Sequence, residues 1–172
     1  MNVDALKCAV NAAKEKNIPV IAVASTTGTT AAALFELTKQ SRLRLIVVTH
    51  DEGRAESRKR FSREIRGKLL AHNVTVYTHA PGMILLRKLT ARFLGRFGFP
   101  RWYKHLREIN EKHGTGIKVC HIIVRMLIEG GILSDGRVIA LAGAKSGADS
   151  TAVFSIEPRN KWPVLEEVIL KN

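Results

Sequence analysis

Residues 25–30 read Ser-Thr-Thr-Gly-Thr-Thr, five hydroxyl side chains around one glycine. An apolar run at 18–23 precedes them and an alanine-rich stretch follows, so they read as the turn from a strand into a helix. The start of a helix leaves its first N–H groups unpaired and carries partial positive charge, and Gly28 lets the backbone approach a ligand closely. An anion such as a phosphate suits that place. Ser25, Thr26, Thr29 and Thr30 would add hydroxyl donors, with Thr27 beside them. The plainer alternative is that these hydroxyls only cap the helix. Neither GxxxxGK(S/T) nor GxGxxG occurs here, which argues against a nucleoside triphosphatase loop and a dinucleotide-binding turn.

A second glycine-rich stretch, GAKSGADS at 143–150, follows another apolar run. Gly143 and Gly147 again permit close approach, and Lys145 brings a cation. Ser146 and Asp149, with Ala148 before the acid, could bond a sugar or polyol hydroxyl; a tight turn in which Asp149 bonds its own backbone is the plainer reading. Thr49-His50 and Thr78-His79 each end a strand-like run, which places Thr49, His50 and His79 at a ligand mouth. A neutral imidazole there can donate to a ring carbonyl or act as acid or base. Ser146 with either histidine and Asp149 would make a hydrolase constellation, although no GxSxG elbow accompanies it. His72, His105 and His113 read as solvated, and His121, in an apolar helix, as a satisfied core residue. Cys8 and Cys120 belong to no CxxC or Cys/His spacing, so both read as small buried apolar residues and no metal site is expected.

The elements that would hold these groups alternate in type. Val3, Leu6, Val10 and Ala13 recur at helical spacing behind Asn2 as N-cap. Strands are expected at 18–24, 43–48, 73–77, 137–142 and 151–156, and helices at 29–40, 58–72, 84–97, 101–113 and 117–128; 164–170 fits either a last strand or a short helix. Helices between strands imply parallel crossovers, hence a single α/β domain over 1–172, a three-layer α/β/α sandwich with a mostly parallel sheet. In such sheets ligands lie outside the carboxyl ends of the strands. Four strand ends then bring together 25–30, Thr49-His50, Thr78-His79 and 143–150, a stronger signal than any one stretch.

The formal net charge is +13, and residues 65–107 contain no acid but nine of the lysines and arginines. Such a field attracts nucleic acid, anionic surfaces or phosphorylated small molecules. Within 84–97, Leu85, Leu89, Phe93 and Phe97 form one helical stripe and Lys88, Arg92 and Arg96 another. With Arg101 they motivate a second function class, a nucleic-acid-binding accessory domain using 87–107, against the plainer reading of a solvated face. No apolar run approaches the ~20 residues of a membrane span, and the N-terminal residues lack the apolar core of a secretory signal. A cytoplasmic protein is expected, with the apolar helix 117–128 or the last strand available for a homo-oligomer.

Three blocks carry a family resemblance: NIPVIAVASTTGTTAAAL, HGTGIKVCHIIVRMLIEGG and VIALAGAKSGADSTAVFSI. They resemble, in order and over nearly the whole chain, a group of mostly archaeal stand-alone proteins similar to the α/β C-terminal domain of pyruvate kinase. The most specific parts are GIKVC at 116–120 and the 143–149 loop. The resemblance implies a pyruvate kinase C-terminal domain-like fold without the catalytic barrel, so no pyruvate kinase activity. It also implies FMN as ligand, with the phosphate on 25–30 and the remainder across Thr49, His79 and 143–149. Ser25, Thr26, Gly28, Thr30, Thr49, His79, Lys118 and Cys120 match the group's pattern, and Gly116 opens its GIKVC block. Thr27, Thr29 and Ile122 depart from it, standing where a Tyr, an Asp and a Glu are expected. The group's N-terminal strand is not found ahead of Asn2, so the expectation extends to other phosphorylated ligands.

Overall fold

The computed structural model describes residues 3–49, 60–78, 101–143 and 147–171, with backbone alone at 101–103. Its elements are α1 (Val3–Glu15), β1 (Val20–Ala24), α2 (Thr29–Thr38), β2 (Arg44–Thr49), α3 (Arg63–Ala71), β3 (Thr75–Thr78), α4 (Arg101–Glu129), β4 (Gly136–Ala142), β5 (Ser150–Ile156) and β6 (Val164–Leu170). The expected helix at 84–97 and the basic stretch 87–100 lie outside the described residues.

The six strands form one sheet in the order β3-β2-β1-β4-β5-β6. β3, β2, β1 and β4 are mutually parallel, while β5 and β6 run antiparallel to their neighbours, so the sheet is mixed. Loop length explains the reversal. A parallel return needs a crossover of a dozen or more residues, whereas β4 and β5 are separated only by 143–149, which suffices for a hairpin. The ambiguous 164–170 resolves as β6, tied down by Arg137–Glu166 at 2.9 Å and Lys16–Glu167 at 2.8 Å.

Both faces of the sheet are covered. Ile21, Val23, Val47, Ile139 and Leu141 pack with buried residues of α1, α2 and α3. Ala22, Ile46, Val48, Val138 and Ala140 pack instead with Ile117, Cys120, Val124 and Leu127 of α4. Consecutive strand residues thus serve opposite cores, which is why the parallel strands read as continuous apolar runs and not as alternating ones.

α4 is not one rod. Gly114 has φ 84° and ψ 172°, outside the helical region. In an unbroken helix His105 and His121 would lie roughly 24 Å apart along the axis. Their ring centroids are 5.2 Å apart, so the two halves fold back on each other at the glycine, as the separate expectations for 101–113 and 117–128 require.

α3 starts later than expected, because Ser62 is its N-cap and its Oγ accepts from the Ile65 N–H at 3.3 Å. Gly67 lies inside this short helix with open space where a Cβ would stand. Gly67→Ala should therefore raise stability by about 0.5–1 kcal/mol, read as a higher midpoint in urea at unchanged slope.

Candidate functional site

β1 and β4 are adjacent and parallel, and the strand order reverses between them. A crevice opens at such a switch point. The last registered pair is Val23↔Leu141, so two residues further on the strands release Ser25 and Gly143 side by side. The two stretches singled out by sequence therefore start next to one another.

In the first loop the Ser25 N–H donates to the Val48 carbonyl at 3.0 Å, keeping the chain in line with β2 before it turns. Gly28, at φ 95°, is the N-cap of α2, so the capping position itself carries no side chain. The hydroxyls do not cap in the ordinary manner. Ser25 Oγ reaches across the turn to the Ala31 N–H at 3.4 Å, and Thr27 Oγ1 lies 3.1 Å from Thr29 Oγ1. Among the described residues no hydrogen bond takes up the N–H of Thr29 or Thr30. The helix start is thus held open, with exposed Thr27 and Thr29 at its edge and Ser25 and Thr30 buried beneath.

What holds it open comes from α3. The Ser62 N–H donates to the Thr27 carbonyl at 3.0 Å, and a Cβ on Gly28 would lie 3.1 Å from both the Phe61 ring and Ile65. Glycine is required twice here, by its positive φ and by this contact. Sequence reasoning missed Phe61 and Ser62 as supports of the loop. The cap Ser62-Arg63-Glu64-Ile65 was the local signal for where α3 begins, but nothing local ties it to Thr27.

The second loop is equally close-packed. The Asp149 N–H donates to the Ala142 carbonyl at 3.0 Å, and its carboxylate accepts from Ser150 Oγ at 3.0 Å; among the described residues it takes no bond from its own loop backbone. A Cβ on Gly143 would stand 1.7 Å from the Gly147 carbonyl oxygen. One on Gly116 would stand 1.9 Å from Ser150 Oγ and 3.3 Å from an Asp149 carboxylate oxygen. The start of the second half of α4 therefore rests directly on the head of β5, and Asp149 faces that helix end, where a carboxylate is favoured. Ala148 is buried in the core shared with α2.

Of the remaining candidates, Thr49 is buried at the end of β2, paired in register with Thr78. Thr26 is half-buried. Lys118 follows Gly116 by two residues, roughly 200° around the helix, and so leaves on another side from the Ser150 contact. His50, His79, Lys145 and Ser146 lie outside the described residues, and with them the hydrolase constellation.

The cysteines and histidines divide differently from expectation. Cys120 is buried, with Sγ 3.4 Å from the Ala140 carbonyl and 3.6 Å from that of Ser150. Burial, and then the charge of Asp149, pushes its thiol far up, so it stays protonated and structural. Cys8 is only half-buried, which corrects the expectation that both are core residues.

His121 is fully buried, but neither ring nitrogen has a hydrogen-bond partner among the described residues, so it is not the satisfied core histidine expected. It packs in an aromatic cluster with His105, Phe154 and Trp162, over which Arg125 stacks at 3.7 Å from the ring centroid. Beside this cluster a cleft of about 390 Å³ runs between the first half of α4 and the β5–β6 loop, lined among others by His105, Ile109, His113 and Trp162. It shares no residue with the glycine loops. Local sequence gave no sign of the cluster, since its members come from α4, β5 and a loop.

Among the described residues no three His, Cys, Asp or Glu side chains group as a metal would need, and no helix is long and apolar enough to cross a membrane. Compared with models of known protein families, the chain matches none.

Proposed function

We propose that the chain binds a phosphorylated small molecule at the carboxyl edge of the sheet, with the phosphate on the start of α2. The observation that carries this is the helix start itself: a glycine N-cap, N–H groups of Thr29 and Thr30 with no acceptor among the described residues, and hydroxyls of Thr27 and Thr29 at the rim, all at the β1/β4 switch point. Backbone donors of this kind suit a phosphate. FMN is the form that the resemblance to the pyruvate kinase C-terminal domain-like group implies, and the donor set fits its phosphate. Asp149, beside the glycines of the second loop, is an acceptor suited to a polyol hydroxyl. Bound FMN would supply hydride or single-electron transfer; this chain's residues would bind and orient it.

An absorbance spectrum of the purified protein, with mass spectrometry of any molecule released on denaturation, identifies the ligand. A flavin spectrum supports FMN, and a colourless phosphate compound supports the site with another occupant. A protein that carries nothing and binds single-stranded RNA with steep salt dependence would favour the nucleic-acid reading of the basic stretch 87–107 instead. A second prediction isolates the rim. Thr27 and Thr29 are exposed, so replacing both by Ala should leave stability within about 0.5 kcal/mol. Loss of their donors to a charged phosphate should weaken FMN binding roughly tenfold in a fluorescence titration.

A further inference from the structure

We propose that the cleft between the first half of α4 and the β5–β6 loop is a second ligand site, which takes a small aromatic acid, a flat apolar body ending in a carboxylate. The inference is independent of the phosphate site, since the cleft shares no residue with the glycine loops. At about 390 Å³ it has the size of a small-molecule pocket.

Its wall is apolar and rigid. Ile109, Pro163 and Leu165 line it together with the ring of Trp162. The Arg125 guanidinium stacks 3.7 Å from the centroid of that ring and is itself tied to Glu129 at 2.9 Å, while His105 packs edge-on at 5.9 Å. A fixed indole of this kind suits a flat ligand ring, through offset or edge contacts.

The polar groups around the wall are mostly donors. Asn160 Oδ1 already accepts the Trp162 backbone N–H at 3.0 Å, which leaves its amide group to donate. Lys112 and His113 also line the cleft. His113 is held below its ordinary pKa of 6.5 first by burial, then by the charges of Lys112 and Lys171, so positive charge gathers at this end. Among the described residues no carboxylate pairs with Lys112, His113 or Lys171. Glu108, the one carboxylate on the described lining, stands a helical turn back along α4 and leaves this end to an anion.

Behind the wall a second observation points the same way. His121 is fully buried, its ring centroid 5.2 Å from that of His105 and 6.1 Å from that of Trp162, both of which line the cleft. Neither of its ring nitrogens has a hydrogen-bond partner among the described residues. Buried polar groups are nearly always bonded, and an acceptor entering beside His105 and Trp162 would supply what this one lacks.

The test is an NMR titration of the isotope-labelled full chain with indoleacetate and with tryptamine, which carries the same ring and the opposite charge. Indoleacetate should move the signals of the Trp162 indole, the Asn160 amide and His113, and saturate at about millimolar concentration. Tryptamine should bind at least roughly tenfold more weakly. Lys112 is exposed, so Lys112→Gln should keep the thermal midpoint and weaken indoleacetate about 5- to 10-fold. Absence of saturable shifts, shifts centred away from the cleft, or tryptamine bound as tightly as indoleacetate would overturn the proposal. So would affinity unchanged in both Lys112→Gln and His113→Gln. None of these outcomes touches the phosphate site.

Discussion

Gly143→Ala is expected to cost about 3 kcal/mol of stability and to abolish ligand binding with it. The added Cβ would stand 1.7 Å from the Gly147 carbonyl oxygen, a backbone atom that cannot rotate out of the way. The loop would have to open, and Gly147 would carry Asp149 away from the Ala142 carbonyl and from Ser150. Gly116 provides the contrast. There the obstacle is the Ser150 side chain, with its Oγ at 1.9 Å and Cβ at 2.5 Å from the added atom. Ser150→Gly should therefore rescue much of the loss caused by Gly116→Ala, whereas it should do nothing for Gly143→Ala. Denaturant midpoints of the two single variants and their doubles with Ser150→Gly measure the difference. A Gly143→Ala protein within 0.5 kcal/mol of wild type would show that the two glycine positions do not constrain each other.

The second large effect is a loss of stability in mild acid that traces to His121. Its pKa is lowered from 6.5 to about 4, first by burial, then by the neighbouring His105 and Arg125; the Pro163 backbone pulls the other way. Between those values the unfolded chain takes up a proton that the folded one refuses. Folding stability should accordingly be fullest above pH 6.5, fall as the pH drops to about 4, and lose nothing more through this group below that. The integrated loss is about 3 kcal/mol, a large share of what a domain of this size has in reserve. Other groups titrate in acid as well. Glu36, held down to about 2 by Lys39 and Lys68, gives up its advantage as the pH falls from its ordinary 4.5. The comparison with His121→Phe removes those shared terms. The variant should lack the extra slope between pH 6.5 and 4 in urea titrations, and an unchanged slope would mean that His121 is protonated in the folded protein.

The strands and the loops that leave them were legible because their signals are local. The run at 18–24 is apolar on both faces, as a central parallel strand must be, and the hydroxyl-and-glycine turn follows it immediately. The break between 113 and 117 was legible from glycine for the same reason. The direction of β5 was legible in principle from the shortness of 143–149, yet the expectation of a mostly parallel sheet left open which strands depart from it. Residues brought together by folding left no such trace. Phe61 and Ile65 stand more than thirty positions from Gly28, and only the packing of α3 against the start of α2 joins them. His121 lay in a visibly apolar helix, but that its ring nitrogens would lack partners depends on Trp162, Phe154 and the fold-back at Gly114.

Paired equilibrium titrations of the wild-type protein with FMN and riboflavin test the open start of α2 as a phosphate site most directly. The two ligands share ring and ribityl chain and differ in the phosphate, so their affinity ratio reads the contribution of the helix start and its surroundings alone. FMN is expected to bind roughly 100-fold more tightly than riboflavin, the effect of a few charge-assisted hydrogen bonds. Equal affinities, or binding of neither ligand nor any other phosphate compound, would contradict it.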